Sequence, residues 1–334
     1  MQAKDLNAYL SPWLKAFIAE HPYVTGAYLA GSTAELSPED DLGDCSDIDV
    51  MLTIEGEPRP KPGKIPFGGA VIEGTYIPWS TIEDPELALA DYHIAHALHL
   101  GRILYDSDGR LTALCAAVAA EFSKPERIRQ RVEGVIAKIE NNLNGYDPSA
   151  PEANRFMGLL FAAGIMAHAV LVAAQKNPTV RMRYRATKAV LADRPEAQEA
   201  LLRAAGFDGI SAAQAREAVW EMAELFDRVS PMCRAAFPFT SDLQPEMRKS
   251  AVDDALALID SGLHRECMFW TCATYARLML QSRADAPEIF SAQQEKFVRF
   301  AGWIIPSQPE RIAAIRSALP TLRSLCDAII DRKE

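Results

Sequence analysis

The chain has 334 residues, of which 49% are apolar and 24% are charged, a composition typical of a globular protein with two domains or one large one. Its formal net charge of −10 is uneven, because residues 1–110 carry 7 Lys and Arg against 18 Asp and Glu, whereas the remainder carries 28 against 27. An acidic first third argues against a broad nucleic-acid-binding surface and suits a site for divalent cations or a cationic acceptor.

The N-terminal segment lacks the basic start, long apolar stretch and small-residue cleavage site of a signal peptide, so we do not predict one. The segment is instead typical of an amphipathic helix. We identify no apolar run that approaches the roughly 20 residues needed to span a bilayer, so we expect a cytoplasmic protein without a membrane partner. The cysteines form no CxxC pair and no secretion signal accompanies them, which argues against a zinc site and against disulfides. We expect most of them to be buried: Cys45, Cys115, Cys233, Cys267, Cys272 and Cys326.

The first 110 residues alternate between helical and strand patterns. A helix is predicted at 4–20, strands at 24–29, 47–54 and 71–78, a polar loop at 35–45, and a loop or hairpin connection in the proline-rich stretch 57–66. A helical pattern over 86–100 and a turn at 106–109 follow.

The chain from residue 113 onward shows only helical patterns. Helices are predicted at 123–144, 152–175, 180–192, 195–205, 211–229, 243–261, 264–282, 290–302 and 308–331, the last interrupted near Pro320. The predicted fold class is therefore a small α/β (α+β) domain with a short mixed sheet, residues 1–112, followed by a larger all-α helical bundle domain, residues 113–334.

Two strands carry the acidic residues that suggest chemistry. Asp47 and Asp49 lie two apart on a predicted strand, so their side chains project from the same face. Two carboxylates on one face repel each other unless a cation lies between them, and Mg²⁺ prefers such hard oxygen ligands. Glu73 on a neighbouring strand could be a third ligand or the base that deprotonates an acceptor hydroxyl, although Glu55 and Glu83 are also available.

The dipeptide Gly31–Ser32 follows the first predicted strand. A glycine lets the backbone approach a phosphate closely, and a strand-to-helix turn presents N–H groups and a hydroxyl that can bind it. Together with the carboxylates, this turn forms the set that nucleotidyl transfer needs.

Three segments together resemble the polymerase-β-type nucleotidyltransferase superfamily, and most closely the aminoglycoside adenylyltransferases. They are Gly31–Ser32, Ser46–Asp47–Ile48–Asp49 and Ile72–Glu73–Gly74–Thr75. The resemblance implies that Gly31 and Ser32 bind nucleotide phosphates, that Asp47 and Asp49 bind Mg²⁺ (two ions), and that Glu73 is a metal ligand or general base. It implies ATP as co-substrate and a small nucleotidyltransferase domain before a helical bundle. The motifs cover about residues 20–110, and the acidic loop 33–45 is longer than the family's usual spacing.

A basic run in the helical part is a second candidate for phosphate binding. Arg185 and Lys188 lie three residues apart on one predicted helix face, and Arg181 lies one turn before them. We consider that Arg185 and Lys188 contact the triphosphate, and we weigh equally that they form a solvated helix face.

Other candidate residues have simpler explanations. His93, His96 and His99 recur at three-residue spacing but drift around the helix, which favours packing or solvent exposure over a metal site. A second DxD, Asp106 and Asp108, lies in a turn with glycine and is explained by turn chemistry. Trp79, just past the third predicted strand, could stack on a base or acceptor ring, but a position in the core is the simpler explanation.

The sequence favours an enzyme that moves a nucleoside monophosphate, AMP in the expected case, from an NTP to a hydroxyl-bearing acceptor. A small molecule such as an aminoglycoside is the acceptor that the resemblance implies, and the acidic first domain favours a polycation. A protein or tRNA acceptor, and a regulatory module that binds NTP without turnover, stay open as alternatives.

Overall fold

A computed structural model describes residues 1–43 and 47–333. The chain forms two compact units, Met1–Gly134 with Gln175–Pro178, and Val135–Ala174 with Thr179–Glu334. The first unit continues past the predicted boundary at residue 112, because Leu111, Leu114 and Val118 of the following helix belong to its core.

A five-stranded mixed sheet forms the centre of the first unit. The strands are β1 (Val24–Leu29), β2 (Asp47–Ile54), β3 (Gly63–Phe67), β4 (Ala70–Pro78) and β5 (Ile103–Asp106), in the spatial order β3-β4-β2-β1-β5. β2 and β4 are parallel, and the other neighbouring pairs are antiparallel. The predicted short mixed sheet is therefore confirmed.

Helices cover both faces of this sheet. They are α1 (Leu6–Glu20), α2 (Gly31–Ala34), α3 (Pro85–Ala90), α4 (Tyr92–Leu100) and α5 (Arg110–Glu121), and the start of α6 (Pro125–Asn144) also belongs to this unit. Leu10 of α1 packs with Ile48 and Val50 of β2 on one face. On the other face Tyr28 of β1 packs with Leu98 of α4. Because side chains alternate along a strand, Asp47 and Asp49 lie on the second face, opposite Ile48 and Val50.

In the second unit, the described residues 135–174 and 179–333 form helices and connecting loops, without strands. After α6 its helices are α7 (Glu152–Ala173), α8 (Arg183–Val190), α9 (Pro195–Ala205), α10 (Ala212–Val229), α11 (Asp254–Asp260), α12 (Met268–Asp285), α13 (Pro287–Ile304) and α14 (Gln308–Ile330). α8, α9, α12 and α14 pack against α7. A mostly helical part after the small sheet domain is therefore confirmed.

The apolar helix α7 corrects one expectation. In the described part of the chain it is the one helix long and apolar enough to cross a membrane, with a mean hydropathy of 2.2 in its most apolar window. The expectation that no apolar run approaches this length is therefore wrong. The run is apolar because α7 lies in the core, with 83% of that window buried in the protein.

Several predicted elements differ in detail from the structure. The stretch predicted as a loop or hairpin connection contains β3, and β5 was not predicted. The helix predicted at 86–100 is two helices that meet at Asp91, which caps the second by accepting hydrogen bonds from backbone N–H groups. The helix predicted at 243–261 is replaced by 3₁₀ turns, a π-helical turn over Lys249–Asp253 and the short α11. α14 continues through Pro320 without interruption.

Candidate functional site

Three carboxylates lie side by side on two neighbouring strands. Asp49 of β2 is directly paired with Glu73 of β4 in the parallel ladder, and Asp47 lies two residues earlier on the same face of β2. The alternating burial of β2 shows why: Ile48 and Val50 are fully buried, whereas Asp47 and Asp49, which alternate with them, are partly exposed. The strand pattern of this sequence therefore brings Asp47, Asp49 and Glu73 together.

The turn that contains Gly31 closes one side of this carboxylate set. The backbone N–H of Ala30 donates to the carbonyl oxygen of Asp49 at 2.9 Å, which fixes the end of β1 beside β2. Gly31 has φ +60°, and a Cβ at this position would overlap Oδ2 of Asp49. Only glycine fits both conditions, so the backbone of this turn lies directly against the carboxylate. Ser32 is the next residue and is exposed.

Two lysines that sequence reasoning did not identify belong to the same cluster. Lys64 of β3 is paired in register with Glu73, and its ammonium group lies 3.2 Å from Glu73 Oε2 while also contacting Asp47 Oδ2. Lys61, just before β3, donates to Glu73 Oε1 at 2.6 Å. Among the residues that the structure describes, the cluster therefore contains three acidic and two basic side chains.

One feature of the sequence could have indicated the role of these lysines, namely the clustering of basic residues around them. Arg59, Lys61 and Lys64 are three of the seven basic residues in the first 110, and they lie within six positions of the otherwise acidic first third. The proline-rich stretch around them gave no periodicity from which to place them. Arg59 lies apart from the cluster, with its guanidinium 3.9 Å from the ring centroid of Tyr23.

The electrostatic environment of the cluster changes the pKa of Asp49. Burial, followed by the negative charges of Asp47 and Glu73, raises the pKa of Asp49 to about 7, against the opposing effect of Lys64 and Lys61. Like charges in a partly buried site disfavour the ionised form. The two lysines therefore compensate only part of the negative charge, and the site would accept more positive charge.

The residues present fit a divalent cation with hard oxygen ligands. One ammonium group bridges Asp47 and Glu73, so these two carboxylates are close enough to share a single cation. Within residues 1–43 and 47–333, no three His, Cys, Asp or Glu side chains are arranged as a ready-made metal site. Since Lys64 holds the bridging position, a metal ion there would have to displace its ammonium group.

The acidic loop is held along most of its described length. Glu39 pairs with Lys4 at 2.9 Å, and the carbonyl oxygens of Pro38 and Asp40 accept hydrogen bonds from the backbone N–H groups of Lys4 and Ala3. These contacts fix the loop to the N-terminal segment. The end of the predicted loop, Asp44 and Cys45, lies outside the described residues. Ser46, which directly precedes the DxD motif, lies outside them as well.

The alternatives to Glu73 lie elsewhere. Glu55 follows the far end of β2, where it accepts a hydrogen bond from Arg110 at 2.6 Å, and Glu83 is exposed after the far end of β4. Trp79 is also at that far end, buried in the core with the Arg110 guanidinium 4.5 Å from its ring centroid. The geometry therefore selects Glu73 as the third carboxylate.

The second DxD has a structural role. Asp106 accepts hydrogen bonds from the backbone N–H groups of Gly109 and Thr112, and Asp108 pairs with Arg110 at 2.7 Å. These contacts close the turn before α5. Turn chemistry therefore explains this motif, as the sequence indicated.

The histidines of α4 are packed within the protein. His96 is buried and contacts Oε1 of Glu35 through Nε2 at 3.2 Å, and His99 stacks on the ring of Phe122 at 3.7 Å. Burial raises the pKa of Glu35, but the hydrogen bond and the charge of His96 outweigh it, so the net pKa is lowered. His96 thus connects α4 to the segment that follows α2, and His99 connects it to the end of α5, so packing explains both side chains.

The basic run lies in the second unit. Lys188 pairs at 2.9 Å with Glu266, whose side chain is only 2% exposed, and Arg181 pairs with Asp254. Arg183 is buried with its guanidinium 3.7 Å from the ring centroid of Phe269, whereas Arg185 is exposed. Phosphate binding by Arg185 and Lys188 stays a prediction, and the contact with Glu266 gives Lys188 a structural role as well.

The cysteines of the described residues are buried: Cys115, Cys233, Cys267, Cys272 and Cys326. The expectation for these five is confirmed, and Cys45 lies outside the described residues.

No protein-family model, no curated protein sequence and no solved structure matches this chain. A functional assignment therefore depends on the geometry of the carboxylate cluster and on the motifs in the sequence.

Proposed function

We propose that this protein is a nucleotidyltransferase that moves a nucleoside monophosphate, AMP in the expected case, from an NTP to a hydroxyl group. The observation that carries the proposal is the direct pairing of Asp49 with Glu73 on parallel strands, with Asp47 on the same face. Bound Mg²⁺ would neutralise the phosphates and align them for in-line attack. Asp47, Asp49 and Glu73 are the residues that would hold it.

The side chains around the cluster have distinct roles in this proposal. Gly31 lets the backbone of the turn lie directly against Asp49, and Ser32 offers an exposed hydroxyl next to it that would bind a phosphate. The acceptor oxygen forms a bond to the α-phosphorus, the bond from that phosphorus to the bridging oxygen breaks, and pyrophosphate leaves. We assign to Glu73 the role of taking the hydroxyl proton, because it is the carboxylate on the neighbouring strand and its side chain is partly exposed.

We propose a small molecule with hydroxyl groups and positive charge, such as an aminoglycoside, as the acceptor. The support is electrostatic, since residues 1–110 carry a net charge of −11, which attracts a polycation. The same charge opposes an RNA acceptor. A protein hydroxyl is the remaining alternative within the same chemistry.

One observation favours a second candidate, an NTP-binding module without turnover. Lys64 and Lys61 hold the carboxylates that a metal ion would need, so a protein in which these contacts persist would bind no catalytic cation. Measured turnover separates the two candidates.

The test is pyrophosphate release from ATP–Mg²⁺ against a panel of hydroxyl-bearing acceptors, aminoglycosides first. We expect acceptor-dependent release that falls by at least about a hundredfold in the Asp47→Asn, Asp49→Asn double variant, because two of the three carboxylates that would hold the cation are lost. The control is the double variant Glu55→Gln, Glu83→Gln, which removes the same charge at the far end of the strands and should keep the activity. ATP binding without release from any acceptor would favour the module, and absence of binding would contradict both candidates.

A further inference from the structure

A row of charged side chains crosses three neighbouring strands. Lys64 on β3 is paired with Glu73 on β4, and Glu73 is paired with Asp49 on β2, so all three side chains lie in one line on one face of the sheet. Asp47 lies beside this row and also contacts Lys64. Register pairing places directly opposed side chains within reach of each other, so the position of Lys64 is fixed by the sheet itself.

Lys64 is more enclosed than Lys61, Glu73 and Asp47. Its side chain is 10% exposed, compared with 18% for Glu73 and 32% for Lys61. A lysine ammonium group is a compact point charge, and its flexible stem lets the group move while the backbone stays in place. The enclosed ammonium therefore lies where a small cation would bind, on a side chain that can leave.

The charge of the cluster changes sign when a divalent cation enters. With all five groups ionised, Asp47, Asp49, Glu73, Lys61 and Lys64 sum to −1, and one bound divalent cation makes the sum +1. A site that is anionic when empty becomes cationic once loaded, which favours a polyanionic triphosphate. The ammonium groups of Lys61 and Lys64, displaced by the cation, would then lie at the edge of the site and donate hydrogen bonds to phosphate oxygens.

We propose that Lys64 is the exchangeable counterion of the carboxylate set: its ammonium group competes with the divalent cation and, once displaced, binds the triphosphate of the nucleotide with Lys61. The proposal rests on the proposed function, because it requires that the carboxylates bind a cation. It adds two nucleotide-binding residues and makes cation and nucleotide binding cooperative, since the first frees the groups that the second needs.

The test measures Mn²⁺ binding by electron paramagnetic resonance in the wild type and in Lys64→Met, without nucleotide. Methionine keeps an apolar stem of similar length and removes the charge, so we expect the variant to bind Mn²⁺ on the order of tenfold more tightly. In the presence of Mn²⁺, an ATP analogue with a methylene group between the α- and β-phosphorus should bind on the order of tenfold more weakly. Lys64→Arg, which keeps the charge, should restore weak Mn²⁺ binding.

The controls separate this proposal from a structural role and from failure of the proposed function. Lys15→Met removes an exposed charge from α1 and should leave both affinities unchanged, and circular dichroism checks that each variant is folded. Weaker or equal Mn²⁺ binding by Lys64→Met would overturn the counterion role, and unchanged analogue binding would overturn the phosphate role. If neither the wild type nor Lys64→Met binds Mn²⁺, the proposed function itself is wrong.

Discussion

Gly31 meets two requirements at the point where β1 ends and α2 begins. Its φ of +60° lies in the left-handed region, and its missing side chain leaves space for Oδ2 of Asp49. The second requirement is specific to the site, because the atom that a Cβ would meet belongs to a carboxylate of the cluster. Replacement of Gly31 should therefore affect both the stability of the protein and the position of Asp49.

We predict that Gly31→Ala abolishes detectable Mn²⁺ binding and lowers the free energy of unfolding by more than the about 1–2 kcal/mol of left-handed strain alone. Gly101→Ala is the matched control, because Gly101 has φ +61° and open space around its Cβ position. It should show the strain without the loss of binding. Urea unfolding and Mn²⁺ titration of both variants provide the check, and equal effects on binding would show that the overlap with Asp49 has no influence.

The acidic half of the cluster could be predicted from sequence, and the basic half could not. Asp47 and Asp49 flank buried residues in an alternating strand, so their common face follows from a period of two. Lys64 lies after a proline-rich segment and before Pro66, and its place depends on which strand β3 pairs with. Such long-range register leaves no trace in local periodicity.

Two strands and one helix have the bounds that their periodic patterns predict. β1 and β2 have the predicted bounds, and α9 does as well. β3 and β5 are short partly buried strands, so their residues do not alternate strongly. The segment before α11 contains a π-helical turn, which widens the helix locally and shifts the helical period.

One ion pair connects α8 to the turn before α12. Lys188 extends from α8 to Glu266, whose carboxylate is buried. A buried carboxylate that loses its partner keeps the cost of its desolvation. The pair therefore contributes to how these two elements are held together within the second unit.

We predict that Lys188→Ala lowers the free energy of unfolding by about 1–3 kcal/mol, because Glu266 is left buried and unpaired. Urea unfolding measures this, and Lys188→Arg, which keeps the charge, should recover most of the loss. The apparent KM for ATP is measured in parallel. Unchanged stability with a raised KM would instead support the prediction that Lys188 contacts the triphosphate.

The stability of the whole molecule should depend on pH through a histidine of α4. Burial, and then the charge of His96, lowers the pKa of His99 to about 4, from an ordinary value near 6.5. The unfolded chain therefore takes up a proton at higher pH than the folded protein does. This contribution to stability is complete above pH 6.5 and is lost as the pH falls toward 4.

We predict that the free energy of unfolding of the wild type decreases between pH 6.5 and pH 4 more steeply than that of His99→Phe. Phenylalanine keeps a ring to stack on Phe122 and does not titrate. Urea unfolding at half-unit pH intervals measures the two slopes. His21→Phe, which replaces a histidine stacked on Phe17, controls for a changed ring in a stack. Equal slopes in the wild type and His99→Phe would contradict the role of His99.

The order of the helices around α7 has a consequence for synthesis of the chain. Four helices that cover α7, namely α8, α9, α12 and α14, follow it in sequence. α7 therefore leaves the ribosome as an apolar helix while much of the surface that will bury it is still untranslated. A nascent chain that stalls before Met268 would expose this helix, which makes it prone to aggregate and a substrate for chaperones. Synthesis of α14 and its docking against α7 end that exposure.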